Sequence, residues 1–335
     1  MVPLFTAEHV RAAVPPGRAV DAAREAFLAY ARGEWTMPPK VYVTAYPAGD
    51  FRAMPALGGG YALLKWVTSF PGNPARGLPT VAGLVLVSSA ADGSLVALLD
   101  AGAVTAVRTG AAAVLAAETL GRPDAETAAV VGAGVNGEAA ALTFAARGRA
   151  PLVWDLDEAR AAAVAERAGG RVATREEALA ADLLVTVTPG RDVLLPAGSL
   201  RPGQHVSLMG ADGPGKAEIA VEELERVRLF CDDWEQASHG GELAAGVERG
   251  VIAREQVAQL GDVLAGSAPG REAPEDVTAF DSTGLALQDL AVALAALEQA
   301  DAFELPQVPL RRAWQPQPLS PESLLPERAP AWESA

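Results

Sequence analysis

The sequence predicts an α/β protein whose second half is a doubly wound parallel sheet. From Thr127 onward, short apolar runs ("AAVVGAG", "PLVWDLD", "DLLVTVTP", "HVSLMG", "VRLFCDD", "VTAFDSTG") alternate with alanine-rich charged segments such as "EARAAAVAERAGG" and "REEALAAD". Runs that are apolar on both faces fit strands buried between two helix layers. The first run also opens straight into a glycine-spaced turn and a helical pattern, the order in which a strand, a turn and a helix follow one another in such sheets.

The first part of the chain has a different texture. "TAEHVRAAV" and "RAVDAAREAFLAYARGE" read as two helices, with Thr6 as the N-cap of the first. Beyond "MPP", the segments "KVYVTAY", "ALLKWVTSF", "TVAGLVLVSSA" and "SLVALLD" are β-rich, and Asp92–Gly93 marks a hairpin turn. "TAVRTGAAAVLAAETLG" then reads as a long helix starting at a threonine cap and closing on glycine. "GLALQDLAVALAALEQA" is a last amphipathic helix that can return to the first part, and the proline-rich tail after Glu304 is expected to be extended.

Composition narrows the partners. With 27 basic and 42 acidic residues the net charge is −15, which argues against a nucleic-acid footprint. One cysteine, Cys231, permits no internal disulfide, and three scattered histidines give no metal-ligand spacing. "MVPLFTAEHV" lacks the basic and apolar regions of a signal peptide, and no apolar run is expected to reach the roughly 20 residues of a membrane helix. The expected location is the cytoplasm, with no membrane partner and no metal.

"VVGAGVNGEAAAL" carries Gly132-x-Gly134-x-x-Gly137 between a strand and a helix. Gly132 permits the tight turn, Gly134 the approach of a pyrophosphate, and Gly137 the close packing of helix on strand. The helix N-terminus adds free N–H groups and the positive dipole end. The next strand ends in Asp155, 23 residues after Gly132, where an acid accepts hydrogen bonds from ribose hydroxyls and repels a 2′-phosphate. Leu156 follows instead of an arginine, which favours NAD over NADP. This half is therefore a Rossmann-type domain.

Cations stand out in the first part. Lys65 interrupts the apolar run "ALLKWVTSF": either it is an edge-strand lysine that snorkels to water, or it is buried for a purpose. Arg108, read as lying in the first turn of its helix, is unfavourable there without an anion. Arg52 and Lys40 flank strands near turns, and with Lys65 could form a carboxylate clamp. Finally, "MGADGPGK" (209–216) follows the strand "HVSLM", at the carboxyl end where ligands gather in such sheets. Gly210 and Gly213 allow close approach to a ligand there, and Pro214 stiffens the turn.

Taken together, "KWVTSFPGNPARGLPTV", "LDAGAVTAVRTGAAA", "VVGAGVNG", "GADGPGKAEI" and "FDSTGLALQDLA" resemble the ornithine cyclodeaminase/μ-crystallin family, in order and from about Pro38 to Ala300. "GDFRAMPA", "KWV" and "DDWEQASHGGEL" are most similar to its alanine dehydrogenase branch. The resemblance implies a Rossmann-type NAD domain at 119–281 and a mixed α/β substrate-binding and dimerisation domain at 1–118 with 282–335. It implies roles for Lys65 (substrate carboxylate and proton transfer) and Asp212 (catalytic carboxylate, with Lys216 after it). Lys40, Arg52, Arg108 and Thr283 would hold the substrate, an amino acid or 2-oxo acid. Thr80, Arg108, Thr109, Val135, Asn136, Thr188, Met209, Gly210, Ala211 and Ser282 would join the glycines and Asp155 around NAD. Asn136 stands where the family more often has Gln, and Lys40 where it often has Arg. The activity implied is an NAD-dependent L-alanine dehydrogenase, with an ornithine cyclodeaminase or a ketimine reductase as alternatives, working as a homodimer.

Overall fold

Two sheets make up the computed structural model, which describes residues 1–189, 192–211, 213 and 215–309. The chain begins with β1 (Val2–Phe5), helices α1 (Ala7–Ala13) and α2 (Pro16–Ala31), and strands β2 (Val41–Ala45), β3 (Gly49–Gly58), β4 (Tyr61–Ser69), β5 (Val81–Ser89) and β6 (Leu95–Asp100). Helix α3 (Ala101–Leu120) leads to β7 (Ala128–Val131), α4 (Val135–Ala146), β8 (Leu152–Trp154), α5 (Glu158–Arg167), β9 (Arg171–Val172), α6 (Arg175–Leu179) and β10 (Leu183–Thr186). Then come β11 (His205–Leu208), α7 (Val221–Leu224), β12 (Arg228–Cys231), α8 (Trp234–Gly240), α9 (Ala244–Glu248), β13 (Val257–Gln259), α10 (Leu260–Ala265) and β14 (Thr278–Asp281). Helix α11 (Ala286–Leu297) and β15 (Gln307–Val308) follow. The proline-rich tail from 310 on lies outside the described residues.

The second sheet has the order β13-β12-β14-β11-β10-β7-β8-β9, and all its neighbours are parallel. All six apolar runs read from the sequence are strands in it. The edge strands β9 and β13, of two and three residues, were too short for any pattern. The chain reverses direction across the sheet between β7 and β10, which opens a crevice at their carboxyl ends.

The first sheet has the order β15-β1-β6-β5-β4-β3-β2. Its strand β3 escapes a pattern reading because Pro55 and two charged residues interrupt it. Arg52 therefore sits within a strand, paired with Tyr42 and Val67, and not near a turn. Along β4, Leu63, Lys65 and Val67 point inward while Leu64 and Trp66 are each 40% exposed on the other face. β4 lies between β3 and β5, so the edge-strand reading of Lys65 is wrong.

Helix α3 belongs to both sheets, packing on β5 of the first and on β10 and β11 of the second. It starts four residues before the threonine cap expected for it. Asp100 is the N-cap and accepts from Ala103 N at 2.7 Å, whereas the Thr105 hydroxyl donates back to Ala101 O at 2.6 Å, inside the helix. Arg108 is therefore two turns into the helix, beyond the first turn, so the unfavourable dipole expected for it does not apply. At 20 residues, α3 is long and apolar enough to cross a bilayer by length and composition, contrary to the expectation for this chain, but 72% of its apolar window is buried. Helix α11 returns to pack on α2, α3, β3 and β4, as its amphipathic pattern suggested.

The crossing of α3 and α4 is tight: a Cβ on Gly110 would lie 2.6 Å from the Ala139 carbonyl. Gly110→Ala should lower stability by about 1–3 kcal/mol through forced separation of the helices; urea unfolding of the two proteins measures this.

Candidate active site

The glycine turn sits at the switch point, and its three glycines have separate reasons. Gly132 takes φ +105°, and a Cβ on it would meet Val187 O at 2.7 Å. A Cβ on Gly137 would fall 1.7 Å from Gly132 O. A Cβ on Gly134 meets nothing within 4 Å, so the open side of the loop is there. No side chain caps α4, whereas Asp157 caps α5 and Thr174 caps α6. First-turn N–H groups without a side-chain cap, beside the exposed Val135 and half-buried Asn136, are the donors a pyrophosphate takes. Asp155 is held next to them, accepting from Ala133 N at 2.6 Å and Asp157 N at 2.8 Å. Each of its oxygens keeps a lone pair for a hydroxyl. The loop and the acid fit a dinucleotide.

Beside this loop, Lys40, Arg52, Lys65 and Arg108 line one cavity with Thr109, Asn136, Met209, Ser282 and Thr283. Met54, Val67 and Val81 supply an apolar wall. Lys65 is 1% exposed, and its Nζ donates to Asp289 Oδ1 at 2.9 Å. Arg108 Nε lies 3.6 Å from the same oxygen. Gly284, with φ +75°, leaves room for that guanidinium, since a Cβ there would fall 2.5 Å from Arg108 Nη1. Arg52 Nε donates to Asp50 at 2.6 Å, and Lys40 Nζ donates to Thr283 O at 2.8 Å. Burial pushes Lys65 down to about 8; Asp289 opposes this, while Arg108 and Arg52 reinforce it.

Behind the cavity, buried acids hold the loops at the strand ends. Glu218 accepts from Thr186 Oγ1, Thr188 N, Thr188 Oγ1 and Gly210 N at 2.7–2.9 Å, joining the ends of β10 and β11. Both oxygens of Glu242 in turn accept from Glu218 N, at 2.9 and 3.0 Å. Asp232 accepts from Ser282 Oγ at 3.0 Å and Gly284 N at 2.9 Å, fixing the turn that carries Thr283. Burial raises Asp232 to about 6. Burial, with Asp232 nearby, raises Asp281 to about 8.

Most of the residues expected at the site converge, with some revisions. Gly210 is glycine because a Cβ would fall 2.4 Å from the Glu218 carboxyl carbon, not to admit a ligand. The Thr188 hydroxyl is engaged by the same acid. Thr80, at the start of β5, accepts from Phe70 N through its carbonyl at 2.8 Å and is not among the cavity-lining residues. Ala211 is buried just past β11. Asp212 and Pro214 lie outside the described residues. Asp289, Glu218 and Asp232 were missed. An acid inside the apolar helix "LALQDLAVALAAL" was a legible signal, the counterpart of a lysine inside an apolar strand.

The fold and the loop define a dinucleotide-binding α/β protein. The chain belongs to the ornithine cyclodeaminase/mu-crystallin family, whose model matches residues 4–303. It is 43% identical over 311 residues to the alanine dehydrogenase of Archaeoglobus fulgidus, covering 89% of this chain and 94% of that one. It is 30% identical over 252 residues to an ornithine cyclodeaminase of Agrobacterium tumefaciens, covering 72% and 69%. Among solved structures it is similar to an archaeal alanine dehydrogenase dimer with bound NAD, at TM-score 0.85 and 41% identity, over 90% of this chain and 96% of that one.

Asp281 allows a pH test. Its folded-state pKa, about 8, exceeds the roughly 4 of an unfolded aspartate, so the unfolded chain releases this proton first as pH rises. The stability it contributes is full below pH ~4 and is lost progressively up to pH ~8. Asp281→Asn should show a flatter fall in urea midpoint between pH 5 and 8 than the parent; equal slopes would refute the assignment.

Proposed function

We propose that the protein is an NAD-dependent L-alanine dehydrogenase, interconverting L-alanine with pyruvate and ammonia. The observation that carries this reading is the charge of the cavity. Four cations line it, and none of its described lining residues is a carboxylate. Asp50 and Asp289 partly neutralise Arg52 and Lys65 from behind, leaving positive charge for one substrate carboxylate. A second ammonium, as on ornithine, would meet Arg52 and the apolar wall of Met54, Val67 and Val81. The similarity to the alanine dehydrogenase of Archaeoglobus fulgidus supports the same reading.

In this reading the glycine loop would hold the pyrophosphate of NAD and Asp155 its ribose hydroxyls, and the cofactor would supply the hydride acceptor. Asp155, with Leu156 beside it, favours NAD over NADP. Arg52, Lys65, Arg108 and Lys40 bind the substrate carboxylate, and the Asp232-braced turn sets Thr283 against the substrate. Asp212 takes protons from the substrate nitrogen and from the water that attacks the imine carbon. Lys65, which exchanges its proton near pH 8, relays them.

We also propose a homodimer through the outer face of the first sheet. There Val41, Val43, Leu64 and Trp66 are exposed, opposite the inward Arg52 and Lys65. Leu64→Glu with Trp66→Glu should turn a dimer into a monomer by light scattering.

An initial-rate panel of amino acids, and of 2-oxo acids with ammonia, each with NAD(H) and NADP(H), tests the activity. Accumulation of NADH with alanine is expected, and Lys65→Met or Asp212→Asn should lower kcat by about 10²-fold or more. Proline formed from ornithine without NADH would establish a cyclodeaminase instead, and reduction of a cyclic imine alone a ketimine reductase.

A further inference from the structure

We propose that Asp289 is a positioning residue for the substrate-binding cations: from α11, behind the cavity, it keeps the buried Lys65 ammonium charged and aimed into the site, and draws Arg108 to the same oxygen. The inference rests on the reading of Lys65 as a ligand of the substrate carboxylate.

Asp289 is 0% exposed and does not line the cavity, so it acts through Lys65 and not on substrate. A buried ammonium with no anion beside it loses its proton. The groups facing Lys65 come from three elements: Asp289 on α11, Arg108 on α3 and Arg52 on β3. The opposing strand β5 places Val85 beside it. Both arginines drive its proton off, as burial does, and Asp289 is what holds it on. Asp289 Oδ2 and Arg108 Nε are buried and make no hydrogen bond among the described residues, although Asp289 Oδ1 stands 3.6 Å from that Nε. Arg108 is thus attracted to Asp289 without being closed onto it, and its guanidinium stays available to an incoming carboxylate.

The chain suits a direct measurement, because Lys40, Lys65 and Lys216 are its only lysines. With lysine labelled with ¹³C at Cε, NMR should give three titrating signals, Lys65 being the one lost in Lys65→Arg. The expected midpoint for Lys65 is about 8 in the parent. In Asp289→Asn it should fall by about one unit or more, and in Asp289→Glu it should stay near the parent value. Should the Asn variant not fold, Asp289→Ser removes the same charge and carries the same expectation. The Lys65-dependent limb of kcat/KM against pH should move with the NMR midpoint. A Lys65 midpoint unchanged in an uncharged variant would overturn the proposal. The NMR titration needs no turnover: a shifted midpoint in a protein inactive on alanine would uphold the role of Asp289 while rejecting the proposed activity.

Discussion

A lysine ammonium removed from water is the constraint around which the site is built. Lys65 lies in an interior strand with one face toward the protein, and burying its charge unpaired would cost several kcal/mol. The carboxylate that answers it comes from α11, which the chain reaches only after completing the whole parallel sheet. The pair therefore ties the end of the fold back to its beginning. It also explains why α11, apolar but for Gln288, carries an acid on its buried face.

Helix α3 transmits that arrangement to the glycine loop. Arg108, in its second turn beyond the Asp100 cap, faces the Lys65–Asp289 pair, and two residues later Gly110 lets α4 cross at contact distance. The cation cluster and the uncapped N-terminus of α4 are thus held by a single buried rod. The loops at the strand ends are held differently, by carboxylates that each collect several backbone or hydroxyl donors. Glu218 fastens β10 to β11, and Asp232 fastens the Ser282–Gly284 turn. Such acids are buried against desolvation, which is why Asp232 and Asp281 titrate above the carboxylate range.

Much of this was legible from residue order. The strand–helix alternation, the glycine spacing and Asp155 depend on neighbours within one βαβ unit, and local pattern reports them faithfully. The β-rich part was harder. β3 contains Pro55 and hides its strand pattern, so Arg52 read as flanking a strand near a turn. The start of α3 was misplaced because Thr105 and Asp100 both suit a cap, and only the backbone shows that Asp100 takes it. Gly210 was read as space for a ligand, whereas the space is filled by Glu218.

The sequence by itself determined the parallel sheet and the nucleotide loop and singled out the unusual charges, since each is written in a contiguous stretch. Only the tertiary structure decided which charges meet. Lys65 and Asp289 are 224 residues apart, and Thr188 and Glu218 are 30. Whether a charge in an apolar segment is an exposed accident or half of a buried pair depends on a partner that the local pattern cannot reveal. The long crossovers of a doubly wound sheet place that partner far along the chain.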